Sequence, residues 1–146
     1  NNTVVDIDEG SPGPPWIRVA AHKDGTPSER CVVRNNLATD FSVSGDGMLQ
    51  DHNIEIDLGS DSDDDFFVDY AGRDLHLKGG SPAIDAGTSE LAPTADRDGA
   101  PRPAGAGYDI GAYEHGAALP QLSVSDADVQ ETDAGTVMTF TVTLTQ

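Results

Sequence analysis

The sequence predicts an all-β protein. Short segments rich in β-branched residues alternate with clusters of Gly, Asp, Asn, Ser and Pro, and no stretch before residue 115 has sustained helical periodicity. Apolar residues make up only 36% of the chain and aromatic residues 5%, so large side chains cannot fill a wide interior. We therefore expect a slender or layered fold around a narrow core of Val, Ile, Leu and Ala. A sandwich and a solenoid both fit these observations.

The candidate strands occur in order along the first half of the chain. They are TVVDI at 3–7, WIRVAA at 16–21, RCVVRNNLAT at 30–39, NIEIDL at 53–58 and FFVDY at 66–70. Asn2, Asn36 and Asn53 each open a pattern of Asn, three mostly apolar or β-branched residues, and Asp. Stacked circuits of a solenoid place equivalent residues above one another, so this repeat favours stacking although its spacing is uneven.

A long ordered motif follows. FFVDYAGRDLHLKGGSPAIDAG, which begins at Phe66, is followed by ADRDGAPRPAGAGYDIGAYE, which ends at Glu114. It resembles the closing phrase at the C-terminal end of secreted bacterial right-handed parallel β-helix proteins, the pectate-lyase-like superfold. The resemblance implies that residues 1–114 form the last turns and the C-terminal cap of such a helix. It also implies a location outside the cell or on its surface.

The residue types within this phrase predict structural roles. Gly79 and Gly80 allow a tight turn with positive φ. Asp85, between small apolar residues, is expected to be buried and to accept backbone N–H bonds from a neighbouring turn. A polar clasp on the final turn is expected from three residues, Arg102, Asp109 and Glu114.

The residue pattern of the sequence changes after residues 115–120, which are interpreted as a linker. In 121–146 the apolar residues from Met138 alternate strictly with threonines, as in a half-exposed strand. The segment resembles the first two strands of a Calx-beta domain, a small calcium-associated β-sandwich, although Thr132 replaces the glycine of that family's Glu-Gly-Asp. Two strands make no stable sandwich, so we expect an incomplete domain whose Phe140 face needs a cover. That cover would be the rest of a longer polypeptide or a neighbouring chain.

The chain has 26 acidic and 8 basic residues, a net charge of −18. Such a field repels nucleic acid and anionic membranes, and no run is long enough to insert into a bilayer. The excess of Asp fits either solubility in salty water or the binding of Ca²⁺ through hard oxygen ligands. Cys31 is the only cysteine, which excludes an intramolecular disulfide, and we expect it to be a small buried apolar residue.

Three acidic clusters are candidate calcium sites. The first, at residues 61–65, has the spacing of the first three EF-hand ligands. Phe66 and Gly72, however, occupy the sixth and twelfth positions of that loop, where an EF-hand has Gly and Glu, so a flexible acidic loop is the alternative. The second could instead form an Asx-turn. The third matches the acidic start of the Calx-beta resemblance. The clusters are Asp61, Asp63 and Asp65; Asp96 and Asp98; and Asp126, Asp128, Glu131 and Asp133.

Catalysis by a chain of this resemblance would need a basic residue to take a proton and a cation to neutralise the substrate carboxylate, as in β-helix lyases. The candidates are Arg18, Lys23 and His52, and surface charges at strand ends explain them equally well. The resemblance places the usual catalytic groove along middle turns, which lie outside the last turns predicted for this chain. We therefore expect no enzymatic activity from it.

The leading hypothesis is a non-catalytic C-terminal part of a large secreted or cell-surface modular β-helix protein. It would act in attachment, assembly or carbohydrate association and would be stabilised by calcium. One alternative is a fragment of a polysaccharide lyase or glycoside hydrolase of this fold. Another is a self-assembling extracellular subunit that uses strand addition. The expected partners are polysaccharide, the rest of the parent polypeptide, or neighbouring copies.

Overall fold

The structure is a computed structural model that describes residues 1–5, 16–56, 65–116, 121–126 and 139–145. As predicted, the fold is all-β, and within these ranges there is no α-helix and hence none able to cross a membrane. The strands are β1 (Thr3–Val4), β2 (Ile17–Val19), β3 (Val32–Arg34), β4 (Leu37–Ala38), β5 (Phe41–Val43), β6 (Leu49–Asp51), β7 (Ile54–Glu55), β8 (Phe67–Asp69), β9 (Asp74–Leu77), β10 (Gln121–Val124) and β11 (Val142–Thr145).

Strands β1 to β7 form three parallel ladders. The first ladder is β3–β6, the second is β1–β4–β7 and the third is β2–β5. From β1 to β7 the chain passes through the ladders in the repeating order second, third, first. Each circuit therefore lays one strand beside the equivalent strand of the previous circuit. This parallel pairing distinguishes residues 1–56 from an antiparallel sandwich.

The repeated asparagines stack on one another between the first and second ladders. The Asn2 side-chain amide donates to Asn36 Oδ1 over 2.9 Å, and the Asn36 amide donates to Asn53 Oδ1 over 2.9 Å. The backbone N–H groups of Asn2 and Asn36 donate to the same two oxygens. The stacking predicted from the repeat is confirmed for the asparagines, while Asp6 and Asp57 of the same pattern lie outside the described residues.

Residues 65–116 pack against the ladders and complete the core. Strands β8 and β9 pair antiparallel, with an irregularity between Phe67 and Asp69. The largest core cluster contains aliphatic residues, as expected, but also three aromatic residues that the composition did not predict. Its buried members are Leu37, Ile56, Phe66, Phe67, Tyr70, Leu77, Ala83 and Ile110.

Strands β10 and β11 form a separate antiparallel pair, with Val124 opposite Val142. Phe140 is 55% exposed, so the face that the sequence predicted to need a cover is open to water. Met138 of the alternating pattern lies outside the described residues. Strands β10 and β11 confirm the predicted strands at the two ends of residues 121–146.

We expect Asn36→Ala to lower the free energy of unfolding by about 2 kcal/mol, because Asn36 is buried and is bonded on both sides of the stack. Chemical denaturation would measure this change. Asn2→Ala is the matched control, because Asn2 is exposed at the end of the stack and its loss should cost less. Equal losses in the two variants would contradict a cooperative asparagine stack.

Candidate functional site

The segment SPAIDAG (81–87) makes a tight turn and then pairs with the end of the motif. Gly80 has a φ of +91°, as predicted, whereas Gly79 is not in the left-handed region. Ser81 and Ala83 are buried. The carbonyl of Ala83 accepts from Ile110 N–H over 2.9 Å, and Gly87 N–H donates to the carbonyl of Tyr108 over 2.7 Å. The segment is therefore bonded to YDIG (108–111) through the backbone.

Asp85 reinforces this pairing. Its carboxylate accepts from Gly107 N–H over 2.7 Å, and its own N–H donates to Asp109 Oδ1 over 2.8 Å. The predicted role as a backbone acceptor is confirmed. The residue itself is exposed rather than buried, and it has a φ of +55°, a conformation that Asp tolerates better than most residues.

Residues 78–116, which follow β9, are called the closing segment below, and they contain a buried ion pair. Arg102 Nη1 lies 2.9 Å from Glu114 Oε1, and the two side chains are 1% and 0% exposed. Arg102 also donates to the carbonyl oxygens of Asp109 and Gly111. Glu114 accepts backbone N–H bonds from Ala104 over 3.0 Å and from Asp109 over 2.9 Å. Both charges are thus hydrogen-bonded on several sides.

Asp109 links the segment around this ion pair to Asp85 and His115. One carboxylate oxygen accepts from Asp85 N–H and the other accepts from His115 N–H over 2.5 Å. The sequence prediction of a polar clasp is confirmed, and we use the name polar clasp for Arg102, Asp109 and Glu114 below.

The residues beside the clasp contact the parallel ladders. Gly111 N–H donates to the carbonyl of Asn35 over 3.1 Å, and Ala112 N–H donates to Thr3 Oγ1 over 3.0 Å. Gly111 has a φ of +108°, and a Cβ there would lie 2.7 Å from Thr3 Oγ1. Asn35 is fully buried, and its side chain both donates to and accepts from the backbone of Thr88. The clasp is therefore attached to two circuits.

Asp96 forms an Asx-turn, one of the two alternatives left open by the sequence. Its Oδ1 accepts from the N–H groups of Asp98 over 2.9 Å and Ala100 over 2.8 Å. Its Oδ2 accepts from Glu114 N–H over 3.1 Å. Both oxygens are engaged with the backbone, so in this arrangement Asp96 holds the turn against the clasp.

Asp98 forms part of a charged contact that the sequence reasoning missed. His76 lies between two carboxylates, with Nδ1 2.5 Å from Asp74 Oδ1 and Nε2 2.7 Å from Asp98 Oδ2. Its ring centroid lies 4.2 Å from that of Tyr113. Hydrogen bonds to Asp74 and then Asp98 raise the pKa of His76 above 6.5, and the bond to His76 lowers the pKa of Asp74 below 3.8.

Of the remaining calcium candidates, Asp65 and Asp126 are the two that lie among the described residues, and both are exposed. Within the described ranges there is no group of three or more His, Cys, Asp or Glu side chains arranged to hold a metal ion. The other predicted ligands lie outside the described residues; they are Asp61, Asp63, Asp128, Glu131 and Asp133.

The basic candidates lie on different parts of the surface. Arg18 is on β2 in the third ladder, Lys23 is in the turn that follows β2, and His52 is at the corner between β6 and β7 with Nδ1 3.4 Å from Asp51. A buried arginine, Arg34, pairs with Asp51 over 2.6 Å and with Glu90 over 2.8 Å. The contact with Asp51 links β3 to β6, and the contact with Glu90 links β3 to the closing segment.

Comparisons of the chain with protein-family models, with curated proteins and with solved structures give no significant match. The likeness of residues 66–114 to the closing phrase of β-helix proteins therefore stays an interpretation of the sequence. His76, which lies between the carboxylates of Asp74 and Asp98, gives this site a group that titrates near neutral pH.

We expect stability to fall as the pH rises above 6.5 and through the folded pKa of His76, because a His whose pKa is raised by folding stabilises the fold fully below pH 6.5 and loses that contribution above its folded pKa. Asp74 acts in the opposite direction, and its contribution is lost as the pH falls below 3.8. Urea unfolding at a series of pH values would measure both effects.

His76→Gln should flatten the curve above pH 6.5. The control is Val68→Gln, which introduces the same side chain at an exposed position without removing a titrating group. A slope that persists in His76→Gln would show that another group is responsible.

Proposed function

We propose that this chain is a non-catalytic structural module, the last turns and cap of a right-handed parallel β-helix followed by the start of a Calx-beta-like segment. The parent would be a large secreted or cell-surface modular protein. Three parallel ladders visited in a fixed order support the helical part of this proposal, together with the stack of Asn2, Asn36 and Asn53. An asparagine stack suits turns that repeat at the same corner.

One observation carries the proposal: the polar residues of the closing motif are hydrogen-bonded to backbone. Asp85, Asp96 and Asp109 accept from N–H groups, and Glu114 accepts from N–H groups while paired with Arg102. A catalytic carboxylate must reach a substrate or a reacting proton. These carboxylates instead satisfy N–H groups of the closing segment itself, which is bonded to Thr3 and Asn35 in two circuits of the ladders.

The role of such a module would be attachment, assembly or carbohydrate association. The net charge of −18 supports partners other than nucleic acid and anionic lipid. A polyanionic polysaccharide would be repelled unless calcium bridged it, so neutral polysaccharide is the better candidate among sugars. The lyase and hydrolase alternatives receive less support, because Arg18, Lys23 and His52 do not converge on one ladder.

The capping role predicts a specific effect of Gly111→Ala. A Cβ at Gly111 would lie 2.7 Å from Thr3 Oγ1, the acceptor of Ala112 N–H, so the closing segment would be forced away from β1 and from the carbonyl of Asn35 that Gly111 N–H binds. We expect faster amide exchange in β1 and β4, measured by hydrogen exchange with mass spectrometry, and a loss of stability larger than about 1 kcal/mol.

Gly99→Ala is the matched control. Gly99 also has a positive φ, but nothing lies within 4 Å of a Cβ there, so this variant carries the backbone strain without the clash. Faster exchange of β1 and β4 in both variants, or in neither, would contradict the capping role. Cleavage of a polysaccharide by the chain that is lost on Arg18→Ala, Lys23→Ala or His52→Ala would contradict the non-catalytic role.

Calcium stabilisation is the metal-dependent part of the proposal. It rests on the acidic residues of 61–65 and 126–133, whose oxygen ligands suit Ca²⁺. At one hundred times its Kd, a bound calcium ion would stabilise the fold by about 2.7 kcal/mol, so we expect a higher thermal unfolding midpoint in calcium than in EDTA.

Magnesium at the same ionic strength is the control for charge screening. Asp61→Asn with Asp63→Asn, compared with Asp128→Asn with Glu131→Gln, would assign the effect to one of the two segments. Identical midpoints in calcium, magnesium and EDTA would remove calcium from the proposal.

A further inference from the structure

The sequence contains three Asp-Gly pairs, Asp24-Gly25, Asp46-Gly47 and Asp98-Gly99, and all three lie among the described residues. An aspartate followed by glycine can modify itself, because glycine has no Cβ to keep its own nitrogen away from the carboxyl carbon of the aspartate. The reaction is intramolecular and needs only water besides the chain. The three pairs differ in the hydrogen bonds of the two groups that would react.

In the first pair both reacting groups are hydrogen-bonded. Asp24 Oδ1 accepts from Thr26 N–H over 2.9 Å and lies 3.1 Å from His22 Nδ1. Gly25 N–H donates to the carbonyl of His22 over 2.8 Å. These bonds would have to break before the Gly25 nitrogen could reach the carboxyl carbon of Asp24.

The third pair is held in a similar way. Asp98 Oδ2 lies 2.7 Å from His76 Nε2, and Gly99 N–H donates to the carbonyl of Asp96 over 3.2 Å. The N–H of Asp98 donates to the side chain of Asp96 over 2.9 Å. The turn at 96–99 therefore fixes both the carboxylate of Asp98 and the nitrogen that would attack it.

The second pair lacks these restraints. Asp46 and Gly47 are exposed and lie between β5 and β6. In the described part of the chain the Asp46 carboxylate has no hydrogen-bond or ion-pair partner, and Gly47 N–H donates no hydrogen bond. The main-chain carbonyl of Asp46 accepts from Arg30 N–H over 2.9 Å. Both reacting groups of this pair are therefore free, and water reaches them.

We propose that Asp46-Gly47 is a site of spontaneous isoaspartate formation that reacts ahead of the other two Asp-Gly pairs. The Gly47 nitrogen attacks Asp46 Cγ, and the amide proton leaves with the carboxyl hydroxyl as water, which closes a succinimide ring. Water then adds to the main-chain carbonyl carbon of Asp46, and the bond from that carbon to the Gly47 nitrogen breaks. The chain now runs through Asp46 Cγ. Water is released in the first step and consumed in the second, so no oxidant or other reactant is needed.

The modification would lengthen the main chain at the start of the β3–β6 pairing, because the Cβ of Asp46 becomes part of it. Asp46 forms an isolated parallel bridge with Glu29 and accepts from Arg30 N–H. Leu49 N–H, at the start of β6, donates to the carbonyl of Cys31 over 3.0 Å. An added methylene would shift the chain at these bonds first. The polar clasp takes no part in them, so this proposal is independent of the capping role.

The test is peptide mapping by mass spectrometry, with electron-transfer fragmentation to distinguish isoaspartate from aspartate, after several weeks at physiological temperature. We expect isoaspartate to form at Asp46 more than about tenfold faster than at Asp24 or Asp98, because hydrogen bonds must break first at those two sites. Asp46→Glu is the matched control at the same position. It keeps the charge but should give no comparable product, because its longer side chain would have to close a larger ring.

A second pair of variants tests the same geometry with a different leaving group. Asp46→Asn and Asp24→Asn create equivalent Asn-Gly pairs that release ammonia instead of water when the ring closes. The Asp24→Asn side chain keeps an oxygen that can accept from Thr26 N–H, so its restraint survives the substitution. We expect Asp46→Asn to deamidate with a half-life more than about tenfold shorter than that of Asp24→Asn.

Hydrogen exchange would measure the structural consequence. We expect faster exchange at Arg30 and Leu49 in aged protein than in fresh protein, and no such change in Asp46→Glu aged in parallel. Isoaspartate that forms first at Asp24 or Asp98, or at equal rates in all three pairs, would overturn the proposal. Equal deamidation of Asp46→Asn and Asp24→Asn would do the same. None of these results would change the hydrogen-exchange outcome for Gly111→Ala.

Discussion

The buried ion pair between Arg102 and Glu114 is the constraint on which the closing segment depends. Removing either charge would leave the other without its partner away from water, which costs about 3–5 kcal/mol in buried pairs. Glu114 must therefore stay within reach of Arg102, and its bonds to the N–H groups of Ala104 and Asp109 hold the intervening chain around it. This fixes the backbone of 109–112, which in turn contacts Asn35 and Thr3.

Side-chain acceptors replace strand pairing in this part of the molecule. After β9, residues 78–116 contain only an isolated bridge between Ala95 and Pro101, yet much of the segment lies against the core. Buried N–H groups must still find partners. Asp96 and Asp109 supply them, because a carboxylate has two oxygens and can hold two segments at once. An apolar residue of equal size at either position could not do this.

The sequence predicted the parts of the fold that repeat or that follow a residue-specific rule. The asparagine stack was visible because Asn2, Asn36 and Asn53 recur in one context, and the clasp was visible because charged residues stand among small apolar ones. The contact of His76 with Asp98 was not visible, because it joins residues 22 positions apart whose meeting depends on the path of the closing segment.

The acidic residues serve two opposite purposes in this chain. Those of the closing segment are bound to backbone N–H groups and to Arg102, so they hold separate segments together despite their charge. Those on the surface leave a net charge of −18, which opposes contact between copies except where the surface is uncharged. Added salt screens this repulsion over about 8–10 Å, but it barely weakens a buried pair such as Arg102 and Glu114. Raising the ionic strength should therefore weaken the repulsion between surface charges while leaving the closing segment in place.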